Sequence, residues 1–249
     1  MWGLSGRRRR DSIPKVFHGV EKSFPRRGKL SFWAAMKLLA LEFSTETASL
    51  ALLEDGGVVA ESAVDAGHRR SQGLFDAAES LLKGAGWKLA DVGAFAVGRG
   101  PGSYTGLRVS LTAANGWALP EGKPVWTVSS GAALAAEIFA ERPENAQVAA
   151  WGDARRGTIW AGRFERGGNG GVKPAGEWEL LPAEARGAEW PAAHWAAPGR
   201  APKAAWVGRL FFAGGASEEV QPIYLHPAVI AAPRFDAEGK PLIQTEKPM

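Results

Sequence analysis

The stretch Val97-Gly98-Arg99-Gly100-Pro101-Gly102-Ser103-Tyr104-Thr105-Gly106-Leu107-Arg108 carries the residue types and spacing most suited to chemistry. Its glycines permit positive φ and close backbone approach, and Pro101 fixes its own φ and gives up an N–H. Such a turn, running from an apolar strand into a helix, leaves N–H groups at a helix N-terminus where a phosphate or carboxylate can be held. The same spacing describes a tight turn packed on a neighbouring element, with Ser103 or Thr105 capping the helix. Both readings stand on spacing alone.

A second constellation is Asp153-Ala154-Arg155-Arg156-Gly157. A carboxylate beside two guanidiniums can grip a phosphate, and the same residues can form a hairpin turn with solvated charges. His18, His68, His194 and His226 lie far apart, with no pair at helix-face spacing, so no metal site is expected. No motif places a histidine to activate Ser44, Ser103 or Ser129 as a nucleophile, which weakens a hydrolase reading. Ser129 and Ser130 stand before an apolar-periodic run and read as helix caps.

The elements that must position these residues follow from hydrophobic period. Leu38 to Phe43 is apolar on both faces until Glu42, Ser44-Thr45-Glu46-Thr47 is a polar turn, and Ala48 to Leu53 is a second strand. Glu54-Asp55-Gly56-Gly57 carries the Asp-Gly hairpin signal ahead of a third strand, Val58 to Ala63. After Ser71 as N-cap, Leu74, Phe75, Ala78, Leu81 and Leu82 define one face of a helix that Gly84 and Gly86 stop. Ala94 to Val97 leads into the glycine turn, whose helix carries Leu107, Leu111, Ala114 and Ala118 on one face. Val125 to Val128 is a strand, followed by a helix with Leu134, Ala135, Ile138 and Phe139.

This alternation predicts an α/β domain with a mixed sheet. Gln147 to Trp151 and Thr158 to Glu165 form a hairpin, Ala204 to Ala213 a terminal helix and Val220 to Leu225 a last strand, while Pro182 to Pro202 gives little periodic signal. The expected division is a first lobe over 36–145, a smaller second lobe over 146–227 and an extended tail over 228–249.

Residues 1–35 differ from the rest. They hold nine basic and two acidic side chains, a surplus of seven; the whole chain is only +4, so residues 36–249 are left at −3. The segment reads as disordered or as a non-native extension, with translation beginning at Met36. The mildly acidic body offers no broad basic face for nucleic acid. With no cysteine, disulfides, thiolate metal sites and a cysteine nucleophile are all excluded. No apolar run reaches the length of a membrane span, and the eleven tryptophans, spread over the chain, read as packing residues.

Taken in order, Leu39-Ala40-Leu41-Glu42-Phe43-Ser44-Thr45, the glycine stretch from Gly98 to Arg108, Val128-Ser129-Ser130, Asp153 to Gly157 and Pro222-Ile223-Tyr224-Leu225 resemble the successive signatures of the TsaB (YeaZ) family. The resemblance covers Met36 to Phe164 and the short segment near the end. It implies an actin, sugar-kinase and Hsp70-ATPase-like fold of two lobes with mixed β-sheets, in the cytoplasm. It also implies a non-catalytic subunit that assembles and activates a TsaD-like catalytic partner. With a TsaE-like ATPase, that pair transfers a threonylcarbamoyl group to the adenosine next to a tRNA anticodon, so tRNA is met through the complex. TsaD-type relatives carry a His-x-x-x-His pair that this chain lacks, and Glu42 stands where the family usually has Asp, which fits a position no longer needed.

The resemblance leaves an adenine nucleotide open as a ligand in the complex, with Ser44, Thr45, Gly100, Gly102, Ser103, Asp153 and Arg155 as its candidate phosphate cradle. It places the interface with TsaD, or with a second copy in a homodimer, on Ser71, Leu74, Phe75, Ala78, Leu107, Leu111 and Ala114. The alternative is a self-sufficient enzyme of the same superfamily, an ATP-dependent phosphotransferase or a glycoprotease-like peptidase.

Overall fold

From Leu38 to Glu42, strand β1 (Lys37–Glu42) is wholly buried, because it lies at the centre of a sheet covered on both faces. The computed structural model describes residues 36–65 and 70–225. The expectations for residues 1–35, for His18, His68 and His226 and for the tail from 228 lie outside the described residues, as does the side chain of Ser71.

The first sheet has the order β3-β2-β1-β4-β5. β2 (Thr47–Glu54) and β3 (Gly57–Asp65) run antiparallel from β1 as the expected meander. Their hairpin turns at Asp55 and Gly56, both at positive φ (51° and 88°), which matches the twist of the paired strands. β4 (Ala94–Gly98) and β5 (Val125–Val128) are parallel to β1, so the carboxyl ends of β1, β4 and β5 meet along one edge.

Alternation along the strands sets the two cores. Leu39, Leu41, Phe95 and Val97 face α1 (Arg70–Gly84) and α2 (Tyr104–Ala118); Leu38, Ala40, Ala94 and Ala96 face α4 (Ala204–Phe212). Although α4 falls within the 146–227 stretch, it packs on β1, β2, β4 and β5 of the first sheet. Gly208 makes that approach possible: a Cβ there would run into the Leu53 side chain.

α3 (Ser130–Glu141) bridges to a second mixed sheet, ordered β10-β6-β7-β8 with β9 also on β7. Its strands are β6 (Gln147–Arg155), β7 (Thr158–Arg166), β8 (Val172–Pro174), β9 (Glu179–Pro182) and β10 (His194–Trp195). Trp178 seats over the bare faces of Gly131 and Gly162, and Trp160 over Gly152, so tryptophan fills space left by glycine between α3 and this sheet. Trp190 and Trp195, stacked at 5.2 Å, belong to the cover on the opposite face.

Three local expectations are corrected. α1 takes in Arg70, so Ser71 sits inside the helix rather than capping it. Val220 to Leu225 is extended but forms no strand; only Ser217 bridges to Thr127, and Glu219 bonds to the Thr127 side chain instead of its backbone. The weakly patterned span from 182 to 202 holds the end of β9 and all of β10, joined by non-periodic loop that shows no helical or strand repeat to read.

Candidate functional site

The glycine turn lies where the carboxyl ends of β1, β4 and β5 converge, the usual ligand position in an open α/β sheet. Leu41 pairs with Val97, which sets Glu42 beside Gly98. Glu42 is fully buried, and its Oε1 accepts the Ser44 N–H at 2.7 Å. Its Oε2 and the Ser44 hydroxyl reach no partner at hydrogen-bond distance among the described residues. Burial pushes the Glu42 carboxyl above its ordinary value of 4.5, while Ser44 and the Ser130 hydroxyl pull the other way. A Cβ on Gly98 would collide with the Glu42 carboxylate and crowd the Ser130 hydroxyl, so glycine here is what makes room for the longer acid.

The rest of the turn is tied down in the same manner. Gly100 N–H donates to Ser130 Oγ at 3.0 Å and Ser130 N–H returns to Gly100 O at 2.9 Å. Arg99 N–H donates to Val128 O, and Ser103 N–H to Ser44 O at 2.7 Å. Gly102 and Gly106 press against the carbonyls of Ser44 and Phe43, where any Cβ would fall far inside van der Waals contact. Ser103 Oγ then accepts from Gly106 N–H as the N-cap of α2, and Ser129 Oγ accepts from Ala132 N–H as the N-cap of α3. Of the alternatives left by the sequence, Ser103 rather than Thr105 and Ser129 rather than Ser130 are the caps; Ser130 is a turn anchor.

Part of the expected cradle is bonded to the protein itself. The N–H groups of Arg99, Gly100, Ser103 and Gly106 are spent inside the protein, and the bare glycine faces are covered by Phe43, Ser44 and Glu42. Thr45, the other expected cradle member, turns its hydroxyl to Thr47 O at 3.0 Å. Asp153 and Arg155 sit on the second sheet, at the β6–β7 turn. Asp153 Oδ1 accepts from Arg155 N–H at 2.8 Å, while Arg155 and Arg156 adopt positive φ (70° and 55°). The Asp153 and Arg155 side chains are 66% and 80% exposed in a loose 3.8 Å pair, which is the hairpin-with-solvated-charge reading. The expected cradle is thus two separate turns.

The interface expectation changes as well. Leu74, Ala78, Leu107, Leu111 and Ala114 are all buried, although Ala78 lines the floor of a groove between α1 and α2 and Leu111 that of a second groove beside α2. Phe75 does stand out, 49% exposed, with Trp117 edge-on at 5.5 Å. These two rings line a groove of about 540 Å³ between α1 and α2, bordered by Glu79, Lys83 and Lys88. Sequence reasoning missed two things: the Glu42–Ser44–Ser130 cluster and the strap over residues 217–223. The strap bonds Ile223 N–H to Arg99 O at 2.8 Å and pairs Glu219 with the Arg99 guanidinium. A single acid closing an otherwise apolar strand was the one available signal for the cluster.

A sequence model of the family described as "TsaD: tRNA N6-adenosine threonylcarbamoyltransferase" matches residues 41–227. The solved structure of YeaZ from Pseudomonas aeruginosa superposes with a TM-score of 0.65 at 30% identity, over 76% of this chain and 100% of that one. The chain belongs to the TsaB/YeaZ family. A second solved TsaB/YeaZ-like structure, described as an uncharacterized protein with similarity to peptidase YEAZ from Pseudomonas aeruginosa, gives 0.66 at 28% identity, over 77% of this chain and all of the other.

Two curated relatives are named tRNA threonylcarbamoyladenosine biosynthesis protein TsaB. The one from Escherichia coli K12 is 33% identical over 135 residues, 54% of this chain and 58% of the relative. The one from Bacillus subtilis 168 is 33% identical over 130 residues, 52% and 56% respectively. The match therefore spans little more than half the length of these curated TsaB relatives. The two mixed sheets with their helices form the α/β architecture expected for TsaB. Among the described residues no helix is long and apolar enough to cross a membrane.

Proposed function

We propose that this TsaB-family chain is a non-catalytic subunit for threonylcarbamoyl transfer to the adenosine next to a tRNA anticodon, assembling and activating a TsaD-like catalytic subunit alongside a TsaE-like ATPase. Membership of the family and the shared name of the curated relatives support the pathway. The observation that carries the subunit role is the apolar groove between α1 and α2, with Phe75 exposed and Trp117 half-buried between flanking charges. Aromatic anchors within a polar rim are the composition of a protein interface. The small side chain of Ala78 lies in the lining of that groove.

In this reading the TsaD-like subunit sits on the α1/α2 groove, a second copy of the chain takes that place when TsaD is absent, and tRNA is met through the complex in the cytoplasm. The glycine turn shapes the scaffold beneath α2 rather than holding nucleotide. Reconstitution with the cognate TsaD-like and TsaE-like proteins, with and without residues 1–35, tests this. The expected result is a homodimer that converts to a heterodimer, and threonylcarbamoylation only from the full set. A strictly monomeric chain that never co-elutes with its TsaD, or turnover by the chain alone, overturns it.

A further inference from the structure

The β6–β7 turn holds its backbone in a form that its residue types do not favour. Arg155, Arg156 and Gly157 follow one another at φ 70°, 55° and 75°. Glycine takes such values freely, whereas the Cβ of an L-residue crowds the following carbonyl there, with Asn and Asp the usual exceptions. Two arginines in succession at left-handed φ are a strained choice, and such strain persists only where the surroundings over-determine it. Here they do. Asp153 Oδ1 accepts the Arg155 N–H at 2.8 Å, the Thr158 hydroxyl donates to Arg155 O at 2.8 Å, and Ala183 N–H donates to Gly157 O at 3.0 Å. A turn built this firmly around unfavourable residues implies a use for the side chains it carries.

Both guanidiniums stand in solvent. Arg155 has the loose Asp153 contact, and the Arg156 side chain meets no partner among the described residues. The Ala183 bond also ties the short turn after β9 to this one, and there Arg186 lies exposed, its guanidinium 4.8 Å from the centre of the Trp151 ring. Three arginines thus gather at one end of the second sheet, on a body that is otherwise mildly acidic. The acids beside them are Asp153, already bonded to the turn backbone, and Glu184. Arginine's planar fork grips phosphate oxygens two at a time, and a turn fixed in advance spares the cost of ordering it on binding.

We propose that Arg155, Arg156 and Arg186 contact the phosphate backbone of an RNA stem directly. RNA is selected from other anionic partners by the reading of this chain as part of a tRNA-modifying assembly, on which the inference rests. It goes beyond that reading, in which tRNA is met through the complex, by giving this subunit a contact of its own on the second sheet, while the α1/α2 groove belongs to the first.

Replacing both turn arginines by glycine, Arg155→Gly with Arg156→Gly in the full chain, removes the charges and relieves the strain together. The variant is expected to melt no lower than the parent, a result that a merely structural role for the arginines would not give. Its binding to a short RNA hairpin, followed by fluorescence anisotropy, should weaken about tenfold, with the slope of log K against log salt shallower by about 1.5 for two lost phosphate contacts. Residues 1–35 are present in both proteins and contribute equally. Because the chain has no cysteine, a photo-crosslinker attaches at one chosen site, Ala183→Cys beside the turn or Glu144→Cys beyond the opposite end of β6. The hairpin is expected to crosslink from position 183 and not from position 144. Unchanged affinity and slope overturn the proposal, as does equal crosslinking from the two positions. Polyglutamate that competes as well as RNA overturns it too, by showing an acidic protein to be the occupant. Hairpin binding that needs these arginines, together with a reconstituted set that fails to threonylcarbamoylate, would count against the assembly role alone; the reverse pair of results would count against the RNA contact alone.

Discussion

Glu42 Oε1 and the Ser44 N–H meet at 2.7 Å in buried surroundings, and Ser44 O in turn accepts the Ser103 N–H at 2.7 Å, which ties the β1–β2 turn to the glycine turn. The acid is longer by a methylene than the family's usual residue, and Gly98 provides the room for it. Glu42 is therefore a strut of the scaffold.

The first prediction concerns pH. Burial raises the Glu42 pKa in the folded protein above 4.5, so the native state binds this proton more tightly than the unfolded chain does. Stability contributed by the neutral form is present below 4.5 and is lost as pH rises through the raised value. Glu42→Gln, neutral at every pH, is expected to flatten this decline in urea melts taken from pH 4 to 8. Glu42→Ala leaves the Ser44 N–H without its acceptor and should cost about 1–3 kcal/mol. An unchanged pH slope in Glu42→Gln would refute the assignment.

Glycines in α2 and in the turn that leads into it should respond in opposite directions. Gly102→Ala and Gly106→Ala drive a methyl into the carbonyls of Ser44 and Phe43, an overpacking expected to cost about 1–3 kcal/mol or more. Gly116, exposed in the same helix, has nothing within 4 Å of a new Cβ, so Gly116→Ala should stabilise by about 0.5–1 kcal/mol. Thermal melts of the three variants decide the matter.

Neighbours in α1 separate partner binding from folding. Phe75→Asp is expected to leave the melting temperature nearly unchanged and to abolish co-elution with the TsaD-like subunit. Leu74→Ala, one residue away and fully buried, should lose about 2–5 kcal/mol of stability instead. If Phe75→Asp binds the partner normally, the docking face lies elsewhere.

Thr127 anchors the strap through its hydroxyl, which donates to Glu219 O at 2.8 Å. Thr127→Val keeps the shape and removes that bond, an expected loss of about 1 kcal/mol. Faster amide exchange at Ile223, whose N–H is held by Arg99 O, should accompany it. Unchanged exchange there would show the Ile223 end of the strap to be held independently of the Thr127 hydroxyl.

The residues that made the fold legible were those with a strict period or a special backbone need. β1 reads as central because both its faces are apolar, and the β2–β3 hairpin because Asp55-Gly56 demands positive φ. The return of α4 to the first sheet was not legible, since its apolar face says only that it is covered and not by which sheet. Helical periodicity puts Leu74, Phe75 and Ala78 on one face, but it does not say that Leu74 is fully buried while Phe75, at the edge of that face, stands exposed. At the glycine turn, spacing reveals that N–H groups converge but not that Ser130, Ser44 and Val128 receive those of Gly100, Ser103 and Arg99.

The strap has a consequence for how this protein is made. Arg99 and Glu219 are separated by 120 positions, and Ile223 closes on the Arg99 carbonyl from further still. During synthesis from the N-terminus the first sheet emerges early, yet its edge stays open until nearly the whole chain has left the ribosome. Contacts of such long sequence separation form late, after the loop between them has been closed. A truncated translation product would therefore expose the very edge that the finished subunit keeps sealed, which marks it for recognition by chaperones and proteases.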